Sequence, residues 1–421
     1  MARQGDGCMS KRVVVVGAGI VGLWTAYELR RRGMDVVVID KAELGSGSSF
    51  GNAGWVIPAR ALPLPAPGLH WEGLKMMVQP DSPLYIKPTA LPRLTGWFTQ
   101  FLKYCNAEAY RHGCEATASL TSMAHAEYDR LAEDGLDFEM HHQGLLSVYL
   151  DENAWETGFK DHQTMAEFGL GEPVRLSAQE AREMEPELGP RIVGGVFIKE
   201  ARHTDPGSVL RALASRLEAD GVRLMFSTEV TGFERQGHRL TGVKTKTETV
   251  AGDDVVIATG AWAGQLAKAL GYSLPMQAGK GYSLQFSAPN PKLRASVFLG
   301  DAKIACTPLS RGTRYAGTIE FSGINLNMER ARIEALHKKI PEYLPNYNGS
   351  LDAVEWVGMR PVTPDGLPVI GPVPGFENAF IAAGHSTAGL PLAPGTAKMI
   401  ADYVTGRPPA GPNPFDPARW A

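Results

Sequence analysis

At 421 residues, 44% hydrophobic and 21% charged, the chain has the composition of a soluble globular protein with a sizeable core and room for two or three domain-sized units. A formal net charge of −3 gives no electrostatic reason to expect nucleic acid, and no apolar run reads as a membrane span or a secretory leader. Four cysteines, Cys8, Cys105, Cys114 and Cys306, show neither CxxC spacing nor a disulfide framework, so a reducing compartment, the cytoplasm, and no metal site are expected.

Segment 1–10 is polar and glycine-rich and reads as a flexible tail. Val13, Val14, Val15 and Val16 then form a β-branched apolar run suited to a strand buried on both faces. Gly17-Ala18-Gly19-Ile20-Val21-Gly22 follows, with Leu23, Ala26, Tyr27 and Leu29 at helical spacing, and a second strand over 36–39 ends on Asp40. Each part has a physical job. Gly17 permits the tight turn, Gly19 lets backbone approach a pyrophosphate, and Gly22 lets helix and strand pack closely. The pyrophosphate would meet the positive end of the helix, and Asp40, eighteen residues past Gly22, would accept hydrogen bonds from a ribose diol. The pattern predicts a dinucleotide site.

The run Gly45-Ser46-Gly47-Ser48-Ser49-Phe50-Gly51-Asn52-Ala53-Gly54 is too small-chained to build a core, but its amides and hydroxyls can line an anion or a flat ring. Residues 59–92 are proline-rich, with Trp71, Met76, Met77, Leu84 and Tyr85 scattered among them. Packing is the first reading of these side chains; a cleft cover, a partner surface or a membrane contact are the alternatives. Helical spacing covers 94–131, where Cys105 and Cys114 read as small buried hydrophobes. Strands are predicted over 144–150, 194–198, 224–226 and around Val243, with a capping box at Ser177 and Glu180 and a helix from Asp205-Pro206 through Leu217.

Val255-Val256-Ile257 runs into Ala258-Thr259-Gly260-Ala261-Trp262-Ala263, repeating the logic of an apolar strand entering small residues and returning the chain to the parallel sheet. Segments 282–286, 296–299, 304–309 and 313–321 are short strands separated by turns, which signals an antiparallel sheet. The predicted fold class is α/β, α+β overall: a Rossmann-like nucleotide domain on a parallel sheet, interleaved with a substrate domain on an antiparallel sheet. Residues 355–372 read as a tightly folded loop and strand that bring Arg360 to a defined place. Segment 380–385 reads as a strand ending in Gly384 and His385, and 397–404 as a helix whose N-terminus points back at the nucleotide. Past Gly406 the proline-rich end reads as an arm of no evident chemistry.

Together, GAGIVG with Asp40, the GSGSSFGNAG loop, ATGAWAG at 258–264, KGYSL at 280–284, RYAGTIEF at 314–321, WVGMRPVTPDGLPVIGP and AAGHSTAGLPLAPGT resemble the FAD-dependent D-amino-acid oxidase superfamily. The insert with Trp71-Glu72-Gly73-Leu74-Lys75 and Asp81-Ser82-Pro83-Leu84-Tyr85 is similar to the bacterial D-amino-acid dehydrogenase branch, and the resemblance covers about residues 11–406. It implies FAD rather than NAD. The implied cofactor contacts are Gly17, Ala18, Gly19, Ile20, Val21, Gly22, Asp40, Lys41, Ser48, Ser49, Asn52, Ala53, Gly54, Val230, Thr259, Gly260, Trp262, Gly358, Arg360, Gly384, His385, Ser386, Thr387, Gly389 and Leu390. It also implies FAD-binding segments 11–58, 200–272 and 356–406, substrate segments 59–199 and 273–355, and an arm over 407–421. It lends Arg360 the role of substrate-carboxylate anchor, which suits the two-point fork of a guanidinium, with Arg314 the next candidate. Tyr282 and His385 would lie near the flavin face or the substrate and supply polarity there. Ser386-Thr387 stand after the histidine where the related dehydrogenases have glycine, which bears on the substrate accepted.

The implied reaction is oxidative deamination of a D-amino acid, in which hydride leaves Cα for the flavin, the imine hydrolyses to a 2-oxo acid and ammonia, and electrons pass to a non-oxygen acceptor. No dedicated base is required. Residues 71–85 are the expected contact for a quinone or other electron-transfer acceptor, with peripheral contact at the inner face of the membrane. The alternative on the same scaffold is an oxidase or dehydrogenase of glycine or of a secondary amine such as sarcosine, proline or hydroxyproline. A NAD-dependent reductase would share only the first motif, and a non-catalytic FAD-binding subunit of a larger complex is the reading from another class.

Overall fold

The structure is a computed structural model and describes residues 11–69 and 82–420. The expectations placed on residues 1–10 and 71–81 lie outside the described residues. Among the described residues no helix is long and apolar enough to cross a membrane.

Six strands form the first sheet, in the order Val369–Pro372, Ala379–Ala383, Asp254–Ile257, Arg12–Val16, Asp35–Ile39, Arg223–Met225. All neighbours are parallel except the first two. Successive residues of its strands serve two cores. Val13, Val15, Val36 and Val38 pack with residues of helices Ile20–Arg31, Pro206–Ala219 and Gly389–Val404. Val14, Val16, Val37 and Ile39 pack with a three-stranded sheet, Val230–Gln236, Arg239–Thr245 and Thr249–Ala251, and with helix Ala263–Ala269. Two buried faces explain why the valine run shows no polar alternation. Each valine so buried contributes roughly 1.5–3 kcal/mol.

Nine strands form the second sheet. Their order is Ala353–Val362, Gln277–Phe286, Gly312–Phe321, Ile304–Leu309, Ser296–Leu299, Leu145–Tyr149, Gly194–Ile198, Pro173–Ser177, with Leu84–Ile86 beside Gly312–Phe321. Pairing is antiparallel except at Leu84–Ile86 and between Ser296–Leu299 and Leu145–Tyr149. Ala353–Val362 belongs wholly to this sheet, so a division at residue 356 cuts a strand, and the chain rejoins the first sheet only at Val369. Tyr282, Leu284 and Phe286 cluster with Ile333 and Leu336 of helix Arg330–Lys339 on one face.

Local signals account for several helix starts. Ser177 and Glu180 close the expected capping box, and Asp205 accepts the Gly207 and Ser208 amides ahead of Pro206. The stretch read as helical over 94–131 divides into Leu91–Lys103, Ala107–Thr121 and Ala124–Glu133, the second started by Asn106, whose side chain accepts the Ala109 N–H. The final helix begins eight residues before the expected Ala397, at Gly389, despite Pro391 and Pro394. Pro391 lies in the first turn, where no amide is needed. Pro394 has no N–H for the Leu390 carbonyl, and that oxygen accepts the Tyr128 hydroxyl at 3.3 Å instead. The terminal arm is docked rather than loose. Phe415 is buried, its carbonyl accepts the Ile370 N–H at 2.8 Å, and Arg419 pairs with Asp365 at 2.8 Å.

Candidate active site

The four central parallel strands all end at one edge of the first sheet, and the residues after each of them line a single cleft of about 1570 Å³, counting the part open to solvent. At the first strand end Gly17 has φ +114°, and a Cβ there would come within 2.4 Å of the Ala258 carbonyl oxygen; one on Gly22 would lie 1.8 Å from the Gly17 carbonyl oxygen. Only glycine permits both approaches. Gly17, Ala18, Gly19, Ile20 and Val21 line the cleft, and Gly22 sits behind them as the contact between turn and helix.

Gly19, the N-cap, offers no side-chain bond, and the first helical turn carries no acid, so the N–H end of the helix is open to an anion. The Ser49 hydroxyl accepts one of those amides, from Ile20, at 3.0 Å. Asp40 lines the cleft with its carboxylate already accepting the Ala18 N–H at 2.7 Å and the Ala42 N–H at 3.0 Å. A carboxylate has about four lone-pair sites, so two such bonds leave acceptor capacity for a diol.

Lys41, Ser48, Ser49 and Asn52 line the same side, and the Lys41 ammonium lies 3.6 Å from the centroid of the Trp262 ring. Burial lowers the Lys41 pKa. Val230, Thr259, Gly260 and Trp262 complete that wall. The Thr259 hydroxyl is buried without a hydrogen-bond partner among the described residues, the signature of a group that a ligand or ordered water satisfies. Ala53 and Gly54 stand behind the cleft, their carbonyls accepting the Thr307 hydroxyl and the Thr204 N–H, each at 2.7 Å.

Ser386, Thr387 and Gly389 line the opposite end; Gly384 and Leu390 do not. Ser386 adopts φ +48° and its N–H bonds the Pro361 carbonyl at 3.0 Å, tying this loop to the strand that carries Arg360. His385 also lines the cleft, but its imidazole is 3% exposed, bonded to Thr396 at 2.8 Å, and pushed down to about 3 by burial. It is a neutral tie between strand and helix.

Arg360, Gly358 and Trp356 share one face of Ala353–Val362 and line the cleft from the second sheet. Arg360 donates from Nη1 to the Thr318 carbonyl at 2.6 Å. Burial lowers its pKa to about 10, which leaves it cationic at neutral pH, and among the described residues no carboxylate pairs with it. Tyr282 is not brought to the cleft. The register sets Gly281 opposite Gly358 and Tyr282 opposite Val357, so Tyr282 and Lys280 project from the other face of the sheet. There the Tyr282 hydroxyl donates to Glu320 at 2.6 Å, and Glu320 pairs with fully buried Lys280 at 2.9 Å. Burial, then Glu320, raise the Tyr282 pKa. Arg314 is committed as well: it donates to Gln285 at 2.8 Å and to the Phe50 and Asn52 carbonyls at 3.1 and 3.0 Å, clamping the small-residue loop.

Glu43, Thr228, Glu229, Gln265 and Trp356 also line the cleft and were not singled out from sequence. Only Trp356 had a signal, because the two-residue period of a strand puts it on the face of Arg360. Its indole covers Gly358 and reaches Gly51, where added Cβ atoms would fall 1.8 and 2.1 Å from the ring. The open glycine turn, the Asp40 carboxylate and the unbonded Thr259 hydroxyl fit a bound dinucleotide.

Comparison with known proteins agrees with this geometry. A D-amino acid dehydrogenase of Helicobacter pylori is 31% identical over 395 residues, 94% of this chain and 95% of that protein. Among solved structures, glycine oxidase from Geobacillus kaustophilus superposes with a TM-score of 0.76 at 25% identity, covering 97% of this chain and 98% of the other. L-proline dehydrogenase from P. horikoshii shares the fold, with a TM-score of 0.76 at 22% identity and 97% of each chain covered. The model of the DAO family, described as FAD dependent oxidoreductase, matches residues 12–403. The chain belongs to that family, and FAD is its cofactor.

Proposed function

We propose that this enzyme oxidises a D-amino acid at its α-carbon, yielding a 2-oxo acid and ammonia and passing the electrons to an acceptor other than oxygen. The observation that carries the reading is Arg360, a half-buried cation facing the cleft with no carboxylate beside it among the described residues. Such a charge is stabilised by an anion that arrives with the substrate, and a guanidinium suits a carboxylate.

Bound FAD supplies the two-electron acceptor for the hydride released from Cα. Arg360 holds the carboxylate and so fixes the direction of the α C–H bond. The nitrogen lone pair of a neutral amine forms the C=N bond as the hydride leaves, so the scheme asks no side chain to act as base. Water then adds to the imine carbon and ammonia departs. Neutral His385 keeps a competing cation out of the pocket, and the N-terminus of Gly389–Val404 favours negative charge developing in the cleft.

The D configuration is supported by the name of the Helicobacter pylori relative. Likeness to a glycine oxidase supports a second reading, glycine or a secondary amine. The test is anaerobic bleaching of the flavin by a panel of D- and L-amino acids, glycine, sarcosine and proline. Bleaching by D-amino acids is expected. Bleaching by glycine or N-alkyl glycines alone moves the assignment to the second reading, and no bleaching by any amine favours a non-catalytic subunit. Artificial quinone-type acceptors should turn the enzyme over faster than oxygen, whereas rapid stoichiometric peroxide formation in air would make it an oxidase. A natural quinone-linked acceptor and a peripheral membrane contact belong to the same reading, through the insert that ends at Tyr85.

A further inference from the structure

Arg360 rests on a seat built by two neighbouring strands. Gln277–Phe286 pairs with Ala353–Val362 so that Gly279 stands opposite Arg360 and Gly281 lies on the diagonal. A Cβ on Gly281 would fall 2.2 Å from the Arg360 guanidinium carbon and 2.3 Å from both terminal nitrogens. Three nearly equal distances mean that the guanidinium lies flat against bare backbone at residue 281.

The third strand, Gly312–Phe321, supplies the edge of the seat. Lys280 is opposite Glu320 and Tyr282 is opposite Gly317, so Gly281 alone faces Thr318 and Ile319: a β-bulge. Thr318 takes φ +60° there, an uncommon and strained conformation for a β-branched residue. Its carbonyl accepts the Arg360 Nη1 hydrogen at 2.6 Å, while its buried hydroxyl has no partner among the described residues. What Thr318 does for Arg360 therefore runs through the backbone conformation of the bulge.

We propose that Gly281 and Thr318 are positioning residues for substrate recognition: the bulge aims the Thr318 carbonyl at one edge of the guanidinium, the bare Gly281 lets it lie flat, and the remaining donors present a fixed fork to a carboxylate. This rests on the reading of Arg360 as the carboxylate anchor. The seat removes rotamer freedom from the arginine before the substrate arrives, so less is lost on binding.

The test uses the FAD-loaded full chain and two variants, Gly281→Ala and Thr318→Gly, each made with Arg360 present and in an Arg360→Ala background. The readouts are FAD content, thermal midpoint, kcat and KM for the best amino acid, and binding of benzoate, a non-reacting carboxylate, followed by flavin absorbance. Gly281→Ala is expected to weaken benzoate binding and raise KM tenfold or more, with FAD content unchanged and kcat at saturation changed much less. In the Arg360→Ala background the same substitution should add nothing. An equal effect in both backgrounds, or unchanged benzoate binding, overturns the proposal while leaving Arg360 as anchor. Benzoate binding that survives Arg360→Ala removes the anchor and the seat together. Should Gly281→Ala fail to fold, Thr318→Gly decides, since glycine keeps the carbonyl but lacks the Cβ that confines threonine to the small left-handed well, and so frees the bulge to move. A severalfold rise in KM supports the seat, and unchanged KM and benzoate binding sink it.

Discussion

His385 donates its Nε2 hydrogen to the hydroxyl of Thr396, 2.8 Å away, and that hydroxyl donates in turn to the Leu392 carbonyl at 2.8 Å. The relay assigns the proton to Nε2, because the hydroxyl has spent its own hydrogen on the helix. The loop over the cleft is thereby tied to the first turns of Gly389–Val404. Thr396→Val strands a buried N–H and should cost about 1–3 kcal/mol of stability. It should also loosen FAD, because residues 386 to 389 lie between the tie and the cofactor. Denaturant unfolding of holoprotein and FAD content after dialysis measure both effects. Unchanged stability would place the proton on Nδ1 and the relay elsewhere.

Acid should unfold the protein earlier than its carboxylates alone would suggest. His162, His203 and His385 are all but fully buried, and burial pushes each of them down to about 3. In the unfolded chain an imidazole takes up a proton near its ordinary value of about 6.5. Between these values the unfolded state binds more protons, so stability is full above about pH 6.5 and falls as pH falls towards 3. The slope is up to about 1.4 kcal/mol per pH unit for each histidine. Thermal midpoints at fixed FAD from pH 7.5 to pH 5 should therefore drop, and His162→Phe, which removes one titrating ring, should flatten the curve by one proton. A midpoint independent of pH over that range would show that these rings protonate in the fold.

The parallel sheet was legible because Val13 to Val16 and Val255 to Ile257 are buried on both faces, which leaves an unbroken apolar run that nothing but a central strand explains. The dinucleotide turn was legible for a related reason: the spacing of Gly17, Gly19 and Gly22 records where backbone must touch backbone. Tyr282 was misplaced because a strand flips its side chains at every residue, and the face that Lys280 and Tyr282 share is set by register against Ala353–Val362, a partner some 75 residues away that no local pattern specifies. The start of the last helix was missed because Pro394 reads as a breaker, and only the tertiary bond from Tyr128 to Leu390 relieves it. Arg314 looked available for substrate because its sequence neighbourhood does not show that residues 50 to 52 fold back onto it.

Asp40 serves the fold and the ligand at once, so its removal should report on both. Asp40→Ala deletes acceptors for the Ala18 and Ala42 amides and for a ribose diol. Bonds to a charged acceptor are worth roughly 1.5–3 kcal/mol each, hence a loss of FAD affinity of about tenfold to a hundredfold or more. Asp40→Asn keeps one acceptor oxygen and should lie between the two. Heat-released cofactor, identified by absorbance and mass, gives the stoichiometry after dialysis. Full retention of FAD by Asp40→Ala would mean that the diol is held by other groups.

Arg360 is the assignment on which the chemistry depends most. It stands between Met359, buried in the sheet, and Pro361, whose carbonyl is bonded to Ser386, so its backbone is fixed from both sides. Arg360→Ala leaves the substrate carboxylate unpaired in a partly dry cleft, and truncating one partner of such a pair costs about 2–5 kcal/mol. That corresponds to roughly 30-fold to several-thousand-fold in kcat/KM at 1.4 kcal/mol per decade. Its guanidinium holds no described carboxylate, so folding and FAD content should change little. Arg360→Lys should recover only part of the loss, because an ammonium cannot make the planar two-point contact. The decisive comparison uses the amine that lacks the carboxylate: wild type should discriminate strongly against it, and Arg360→Ala should not. Equal discrimination by both proteins would make Arg360 a structural residue. The carboxylate would then have to be sought on another donor, and Arg314 is excluded from that role by its bonds to Gln285, Phe50 and Asn52.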